Sequence, residues 1–143
     1  MGIFLDTGFF MGICHPNDPF HENSKRLFRE MSQGTHGLIY TSPYIIAEAS
    51  TLLLVRTHNH PGRLGKFETL LFGPKKFIRI LAWSPTIDVE VFKLFRELNA
   101  KATSDKQYLS FIDASNIYLC RHYQIEKIVS YDSHFDAFLT RIS

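Results

Sequence analysis

The sequence predicts an α/β fold, in which a central, mainly parallel β-sheet forms the middle layer of a three-layer α/β/α sandwich. Short apolar runs typical of buried strands alternate with longer segments whose apolar residues recur at helical spacing. Serine followed by proline, at residues 42–43 and 84–85, marks two helix starts, because serine caps a helix and proline fits its first turn. Strands separated by helices form βαβ units, whose helices cover both faces of a parallel sheet.

The individual elements follow from these patterns in chain order. Apolar runs bounded by polar residues or glycine predict strands at residues 2–5, 38–41, 77–83 and 127–131. Apolar residues at helical spacing predict helices at residues 20–31, 43–55, 64–71, 85–98, 111–122 and 135–139. The first strand ends in the polar turn Asp6-Thr7-Gly8, and Gly34 and Gly37 separate the first helix from the second strand. The polar residues 100–107 lack periodicity and predict a loop.

Length and composition indicate the class of protein. The 143 residues are 45% apolar and 21% charged with a net charge of +2, which predicts one globular domain, residues 1–143, and excludes a polycationic arm. Cys14 and Cys120 lie far apart, which excludes a disulfide scaffold and a zinc ribbon. No apolar stretch reaches the roughly 18 residues of a membrane span, and Asp6 interrupts the first apolar run, which argues against a signal peptide. We therefore expect a soluble, cytoplasmic protein.

Four acidic residues differ from the others because their neighbours in sequence are apolar: Asp6, Glu48, Asp113 and Asp132. Removing an unpaired carboxylate from water costs several kcal/mol, so each needs a basic, backbone or cationic partner. No lysine or arginine in the adjacent sequence can serve all four. Asp6 and Asp132 follow predicted strands, and Glu48 and Asp113 lie in the first two turns of predicted helices. We therefore expect all four at the edge where open α/β sheets bind ligands.

Four carboxylates at one edge would repel one another unless a divalent cation lay between them. Oxygen ligands suit Mg²⁺ or Mn²⁺, and such a centre supports metal-assisted hydrolysis of phosphodiester bonds. Taken singly, each acid has a structural alternative. Asp6 and Asp132 could form turns or N-caps, Asp113 could cap its helix, and Glu48 could lie on an exposed helix face. The joint placement of the four favours the metal centre.

The order and spacing of these acids resemble the motifs of the PIN-domain family of nucleases. Residues 3–7 resemble the family's opening strand, which ends in aspartate followed by threonine or serine. Residues 42–48 resemble its second acidic motif, and residues 109–114 resemble the segment that carries its third acid. Residues 128–135 are similar to its Thr/Ser-x-Asp-x-x-Phe ending. The matches extend over almost the whole chain, whose length is similar to that of VapC-type toxins of toxin–antitoxin pairs.

This resemblance implies a PIN-like fold and a Mg²⁺- or Mn²⁺-dependent ribonuclease. The four acids named above would be its catalytic residues and would hold one or two metal ions, with the hydroxyl groups of Thr7 and Ser130 in or beside the site. The ions would activate water for attack on phosphorus. The resemblance also implies a homodimer and, for toxin-type members, inhibition by a small antitoxin protein.

A basic segment at residues 56–79 is a candidate for RNA binding. It holds six lysine and arginine residues against one acid, Glu68. Its side chains could contact RNA phosphates, and the candidates are Arg56, Arg63, Lys75 and Lys76. The alternative is an ordinary solvated helical face. His58 and His60 in this segment lack a third metal ligand nearby, so a surface loop is the better interpretation.

Two rival functions can be weighed from the same residues. Asp6-Thr7-Gly8 is also the signature of aspartic proteases, but the triplet occurs once and lies in a chain with many predicted helices, which excludes that class. A metal-free PIN-like module that binds RNA or protein is the alternative to the enzyme. His134 and Asp136 are interpreted as exposed residues, although His134 could contact substrate. The phenylalanines at helical spacing are expected in the core.

Overall fold

Five short strands form one sheet at the centre of the computed structural model, which describes residues 1–143. The strands are β1 (Gly2–Leu5), β2 (Leu38–Thr41), β3 (Ile78–Ile80), β4 (Lys127–Val129) and β5 (Thr140–Ile142). Their order across the sheet is β3-β2-β1-β4-β5, and every neighbouring pair is parallel. In the central strand, Phe4 lies between Tyr40 of β2 and Ile128 of β4. The predicted parallel sheet is therefore confirmed.

Helices flank this sheet. They are α1 (Thr7–Cys14), α2 (His21–Ser32), α3 (Pro43–Arg56), α4 (Pro61–Phe72), α5 (Pro85–Ala100) and α6 (Phe111–His122). The helices α1 to α4, which connect β1, β2 and β3, pack on one another, and α5 packs on α6. Because parallel crossovers are right-handed, the reversal of direction between β3 and β4 puts these two groups on opposite faces. This arrangement is the predicted three-layer sandwich. None of the helices has the length and hydropathy that crossing a membrane requires.

Local sequence signals set several of these boundaries. The Ser42 hydroxyl accepts a hydrogen bond from the Ile45 N–H at 3.3 Å, and proline follows it at the start of α3. Ser84 caps α5 in the same way, so both predicted serine-proline starts are confirmed. Gly34 and Gly37, predicted to follow the first helix, adopt positive φ angles of 80° and 78° in the turn between α2 and β2.

Helix α1 was not predicted from the sequence. Residues 6–8 were predicted as a polar turn, whereas α1 begins at Thr7 directly after β1, with Asp6 as its N-cap. The reason is burial: all residues of α1 except Gly8 are buried, so the helix has no polar face to produce an amphipathic pattern. An apolar helix of this kind has no period by which a sequence could reveal it.

The last part of the chain also differs in detail. Helical spacing predicted an α-helix at residues 135–139, but the chain forms a 3₁₀ turn, Ser133–Ala137, and then the edge strand β5. The sequence pattern did not predict β5, because Thr140–Ile142 is only three residues long and carries the charged Arg141 at its centre. Strands β3 and β4 are shorter than predicted, at residues 78–80 and 127–129.

The core is one cluster of 26 buried hydrophobic residues centred on β1, where Ile3, Phe4 and Leu5 have no exposed surface. Four phenylalanines are fully buried: Phe4, Phe9, Phe10 and Phe135. Of these, Phe135 belongs to the predicted helices and is in the core as predicted. Phe20 and Phe92, at helical spacing in the predicted helices, were predicted in the core but lie at the surface. Helical spacing therefore separated buried from exposed aromatic residues only in part, because every helix has one face that meets another helix or solvent.

Close contact between α1 and α2 depends on Gly12. A Cβ atom at this position would overlap the Ser24 hydroxyl, lie 2.9 Å from the Ser24 Cβ and lie 3.2 Å from the Phe20 carbonyl oxygen. The hydroxyl can rotate, but the Cβ and the carbonyl can move only if α2 itself shifts. Gly65 in α4 is a useful contrast, because a Cβ there would meet no atom within 4 Å.

We predict opposite effects of the same substitution at these two glycines. Gly12→Ala should lower the free energy of unfolding by about 1–3 kcal/mol, because overpacking outweighs the better helix propensity of alanine. Gly65→Ala should raise it by roughly 0.5–1 kcal/mol, because only the propensity changes. Urea denaturation of both variants measures the difference. An equal effect at the two positions would contradict the close contact of α1 and α2.

Candidate active site

Polar side chains gather at the carboxyl edge of the sheet, where β1 and β4 end side by side. The chain path reverses between these strands, and such a point leaves a crevice in which α/β proteins bind ligands. An open cavity of about 410 Å³ lies there. Its lining includes the four carboxylates singled out in the sequence, Asp6, Glu48, Asp113 and Asp132. The structure brings all four together, and we call them the acidic cluster.

Asp6 is the most buried member of the acidic cluster and connects four elements. It caps α1, because its Oδ1 accepts a hydrogen bond from the Thr7 N–H at 2.8 Å. The same oxygen accepts one from the Asn116 side chain of α6 at 3.1 Å. Its Oδ2 accepts one from the Ser130 hydroxyl after β4 at 2.7 Å. The carboxylate therefore fixes the ends of β1 and β4 against the helices α1 and α6.

Burial has a measurable consequence for Asp6. Loss of water around the carboxylate raises its pKa from an ordinary 3.8 to about 6, although the hydrogen bonds from Ser130 and Thr7 act in the opposite direction. The charges of Asp113 and Glu48 raise this pKa further. Near neutral pH the ionised form of Asp6 is therefore costly unless a positive charge compensates it.

Asp113 holds one carboxylate oxygen in a helix cap and leaves the other free. Its N–H donates to the Ser110 hydroxyl at 3.0 Å, and its Oδ2 accepts from the Ser110 N–H at 3.1 Å, which forms a capping box at the start of α6. Burial raises the pKa of Asp113, the bonds from Ser110 lower it, and the charge of Asp132 raises it again. The cap fixes the side chain so that Oδ1 can serve another partner.

Asp132 and Glu48 complete the acidic cluster. Asp132 caps the 3₁₀ turn, because its Oδ1 accepts a hydrogen bond from the His134 N–H at 2.9 Å. Its own N–H donates to the Ser130 hydroxyl at 3.1 Å. Glu48 lies in the second turn of α3, is half-buried and lines the cavity. Neither carboxylate is paired with lysine or arginine.

Cationic side chains do not neutralise the acidic cluster. The one basic group within ion-pair distance of any of the four carboxylates is His134, whose Nδ1 lies 3.2 Å from Asp132 Oδ1. Arg56, at the end of α3, lines the cavity but forms no ion pair. The carboxylates therefore face one another without compensation, which is a cost to the folded chain.

Two buried oxygen atoms beside the acidic cluster have no hydrogen-bond partner, Thr7 Oγ1 and Asn116 Oδ1. Thr7 lines the cavity, and the amide nitrogen of Asn116 donates to Asp6. Buried polar atoms in folded proteins nearly always have partners. Carboxylate, hydroxyl and amide oxygens together are the donor set that Mg²⁺ and Mn²⁺ prefer. The residues present therefore fit a divalent cation.

The basic residues proposed from the sequence for RNA binding lie in different places. Arg56 is exposed at the rim of the cavity. Arg63 lies at the start of α4, and its guanidinium is 3.4 Å from the ring nitrogen Nδ1 of His15. Lys75 and Lys76 lie in the turn before β3 and line a groove of about 280 Å³ beside Phe77. This turn precedes the first residue of β3, so it lies at the edge of the sheet opposite to the acidic cluster.

The remaining sequence candidates are also located. The Ser130 hydroxyl bonds to Asp6, as described, and is fully buried. His60 caps α4 through its ring, which accepts hydrogen bonds from Gly62 and Arg63, so this segment is a capped turn. Asp136 pairs with Arg141 at 2.7 Å, away from the cavity.

Some residues of this region were not singled out from the sequence. Asn116 is buried and lies three residues after Asp113. This spacing puts both side chains on one face of a helix, which is the signal that could have identified Asn116. The rings of Phe20 and Tyr131 stack at 4.0 Å on the cavity wall, and the Tyr131 hydroxyl bonds to Ser24 at 2.7 Å. These contacts join residues about a hundred positions apart, so no local pattern could predict them.

We predict that the metal-free protein loses stability as the pH rises through the pKa of Asp6. The folded state holds this proton more tightly, so its contribution is complete below the unfolded pKa of 3.8 and is lost as the pH passes the folded pKa of about 6. The loss should reach up to about 3 kcal/mol. Urea denaturation in EDTA measures it.

Asp6→Asn is the informative variant, because asparagine keeps an acceptor for Thr7 and removes the titration. Its unfolding free energy should change much less with pH, with a remainder due to Asp113, whose pKa is also raised. The control is Asp105→Asn, which changes an exposed aspartate that does not line the cavity. A wild-type pH dependence in Asp6→Asn would show that another group is responsible.

Comparison with known proteins adds independent evidence. The family model of the PIN domain matches residues 3–138, from β1 to the 3₁₀ turn before β5. The sequence matches none of the curated proteins.

Three solved structures are similar over nearly the whole chain. VapC20 of Mycobacterium tuberculosis, a toxin that cleaves the sarcin–ricin loop, has 21% identity and a TM-score of 0.73, with 94% of this chain and 93% of that chain covered. VapBC2 of Rickettsia felis, bound to a DNA fragment from its promoter, has 15% identity and a TM-score of 0.68, with 99% and 98% covered. FitAcB of Neisseria gonorrhoeae has 14% identity and a TM-score of 0.64, with 99% and 96% covered.

Identities this low show a shared fold and nothing finer. The match of the family model is different in kind, because it covers almost the whole chain and includes every member of the acidic cluster. On that evidence the chain belongs to the PIN-domain family.

Proposed function

We propose that this protein is a divalent-metal-dependent endoribonuclease that hydrolyses phosphodiester bonds of RNA and acts as the toxin of a toxin–antitoxin pair. The observation that carries the proposal is the convergence of four carboxylates, unpaired with lysine or arginine, around one cavity that also contains the unpartnered Thr7 hydroxyl. A protein that only binds RNA gains nothing from this arrangement, because carboxylates repel phosphate. RNA is the proposed substrate because the similar VapC20 is a toxin that cleaves an RNA loop.

Each member of the acidic cluster has a role in this proposal. Asp6, Glu48, Asp113 and Asp132 would hold Mg²⁺ or Mn²⁺, and the ion, when bound, supplies an activated water and stabilises charge on phosphorus. Asp6 is held by three hydrogen bonds and Asp113 by its capping box, so these two carboxylates are positioned before a ligand arrives. The Thr7 N–H and the Ser130 hydroxyl orient the Asp6 carboxylate. Arg56 at the rim would contact a phosphate next to the scissile bond.

The partner proposals rest on two further observations. Two of the similar structures are the VapBC2 and FitAcB assemblies, which supports a small antitoxin as partner of this chain. Trp83, just before α5, and Val89 and Phe92, in its first half, are each more than half exposed, and exposed apolar surface of this kind supports a homodimer. The proposal treats residues 1–143 as one functional domain, because a single core cluster extends from β1 to the 3₁₀ turn after β4.

Cleavage of a mixed RNA pool tests the central proposal. In Mg²⁺ or Mn²⁺ the purified protein should cleave RNA, and Asp113→Asn should reduce the rate by at least about a hundredfold. Asparagine can keep the capping box with Ser110 while removing one negative charge, so this variant should fold with unchanged or higher stability in EDTA. Asp105→Asn, the exposed control, should cleave like the wild type.

The outcomes separate the alternatives. Loss of cleavage in EDTA and in Asp113→Asn would support the metal-dependent nuclease. Cleavage that survives both would point to a contaminating ribonuclease. Absence of cleavage together with absence of Mn²⁺ binding by calorimetry would favour a metal-free binding module, whereas Mn²⁺ binding without cleavage would indicate strict substrate specificity.

RNA binding tests the basic residues, in the Asp113→Asn background so that the RNA stays intact. Arg56→Ala should weaken binding and reduce the slope of log affinity against log salt by about 0.7, because one phosphate contact is lost. Arg96→Ala, which removes an exposed arginine from α5, is the control. The double variant Lys75→Ala, Lys76→Ala should reduce the slope further if RNA extends around the molecule. If either variant left the slope unchanged, the residues that it replaces would not contact RNA phosphates.

A further inference from the structure

We propose that His134 is a nitrogen ligand of the metal centre and makes it favour a first-row transition ion such as Mn²⁺ over Mg²⁺. This inference rests on the proposed function, because it requires that the acidic cluster binds a divalent ion. It adds a ligand of a different chemical class to a set that otherwise consists of oxygen atoms. The sequence interpretation treated His134 as an exposed residue or a substrate contact.

The distances around His134 suit a shared ion. Its ring nitrogen and one carboxylate oxygen each from Asp113 and Asp132 all lie within 4.8 Å of one another. Donor atoms that share an octahedral ion at about 2.1 Å lie about 3 Å apart when adjacent and about 4.2 Å apart when opposite. A small side-chain rotation is therefore enough to bring the three atoms onto one ion.

The backbone presents the imidazole to the acidic cluster. His134 is the second residue of the 3₁₀ turn Ser133–Ala137, and its N–H donates to Asp132 Oδ1 at 2.9 Å. The next residue, Phe135, is fully buried and anchors the turn in the core. The His134 side chain itself is 41% exposed, so its ring is free to turn while its Cα stays fixed beside the site.

An ion pair with Asp132 does not explain this placement. The His134–Asp132 pair is 41% exposed on both sides, and ion pairs at such sites contribute little to stability. Asp132 Oδ1 is already satisfied by the backbone N–H of His134. In contrast, Asp113 Oδ1 and Asp132 Oδ2 accept no hydrogen bond from the protein, and the Thr7 hydroxyl is buried without a partner. Asp113, Asp132 and Thr7 line the cavity, and the imidazole lies beside it within reach of the two carboxylates.

An imidazole ligand is expected to bind Mn²⁺ better than Mg²⁺. Mg²⁺ binds oxygen almost exclusively and keeps much of its water shell, whereas imidazole is a good ligand for first-row transition ions. Removing the imidazole should therefore weaken Mn²⁺ binding more than Mg²⁺ binding. A purely structural or charge-based role for His134 would change both ions alike.

Pulsed electron paramagnetic resonance of bound Mn²⁺ tests the ligand directly. The wild-type protein should show hyperfine coupling from an imidazole nitrogen, and His134→Gln should lose that coupling. By calorimetry, His134→Gln should lower the affinity for Mn²⁺ by about tenfold and that for Mg²⁺ by a clearly smaller factor. His122→Gln is the matched control, because it removes an exposed histidine at the other end of α6, and both measurements should stay unchanged.

Each unfavourable outcome has a distinct meaning. Mn²⁺ bound to the wild type without nitrogen coupling would overturn the role of His134 and leave the proposed nuclease intact. Coupling that persists in His134→Gln, or equal losses for the two ions, would also overturn it. Nitrogen coupling that survives in Asp113→Asn with unchanged affinity would place the ion elsewhere. Failure of the wild type to bind Mn²⁺ at all would overturn both this inference and the metal-dependent function.

Discussion

The buried carboxylate of Asp6 is the constraint on which the rest of this structure depends. It stands where the central strand ends, and its three hydrogen bonds reach α1, α6 and the residue after β4. Those bonds hold the two central strands and two helices in register at one point. Its charge, however, is nearly removed from water and faces other carboxylates. The fold is thus organised around a group whose ionised form lowers the stability of the folded chain, and a compensating positive charge would relieve that cost.

The capping roles of the acidic cluster are compatible with the chemical roles proposed for it. Asp6 caps α1, Asp113 forms a capping box at α6, and Asp132 caps the 3₁₀ turn. The alternative that these aspartates are helix or turn caps is therefore correct. Capping does not exclude a role in ligand binding. Asp113 and Asp132 each keep one oxygen free, and the cap fixes the direction of that oxygen. Side chains held in this way lose little conformational entropy when a ligand binds.

Sequence patterns predicted those features that depend on local chemistry. The acids were identifiable because each follows or interrupts an apolar run, and parallel strands end at a common edge. The buried helix α1 and the three-residue strand β5 were missed because neither has a period that a sequence could reveal. Asn116 and the Phe20–Tyr131 stack act through contacts between residues about a hundred positions apart. Such contacts follow from the topology and not from any segment of the chain.

The charge distribution connects stability with the proposed activity. Five carboxylates line the cavity, those of the acidic cluster and Asp18, and Arg56 is the one arginine or lysine that lines it. A phosphodiester carries negative charge, so it could not approach this cavity while the carboxylates remained uncompensated. The positive charge that the folded chain needs to relieve repulsion around Asp6 is the same charge that an anionic substrate would need in order to bind. On the proposed function, one divalent ion meets both needs, which explains why a cluster so costly to the free protein lies at the ligand-binding edge of the sheet.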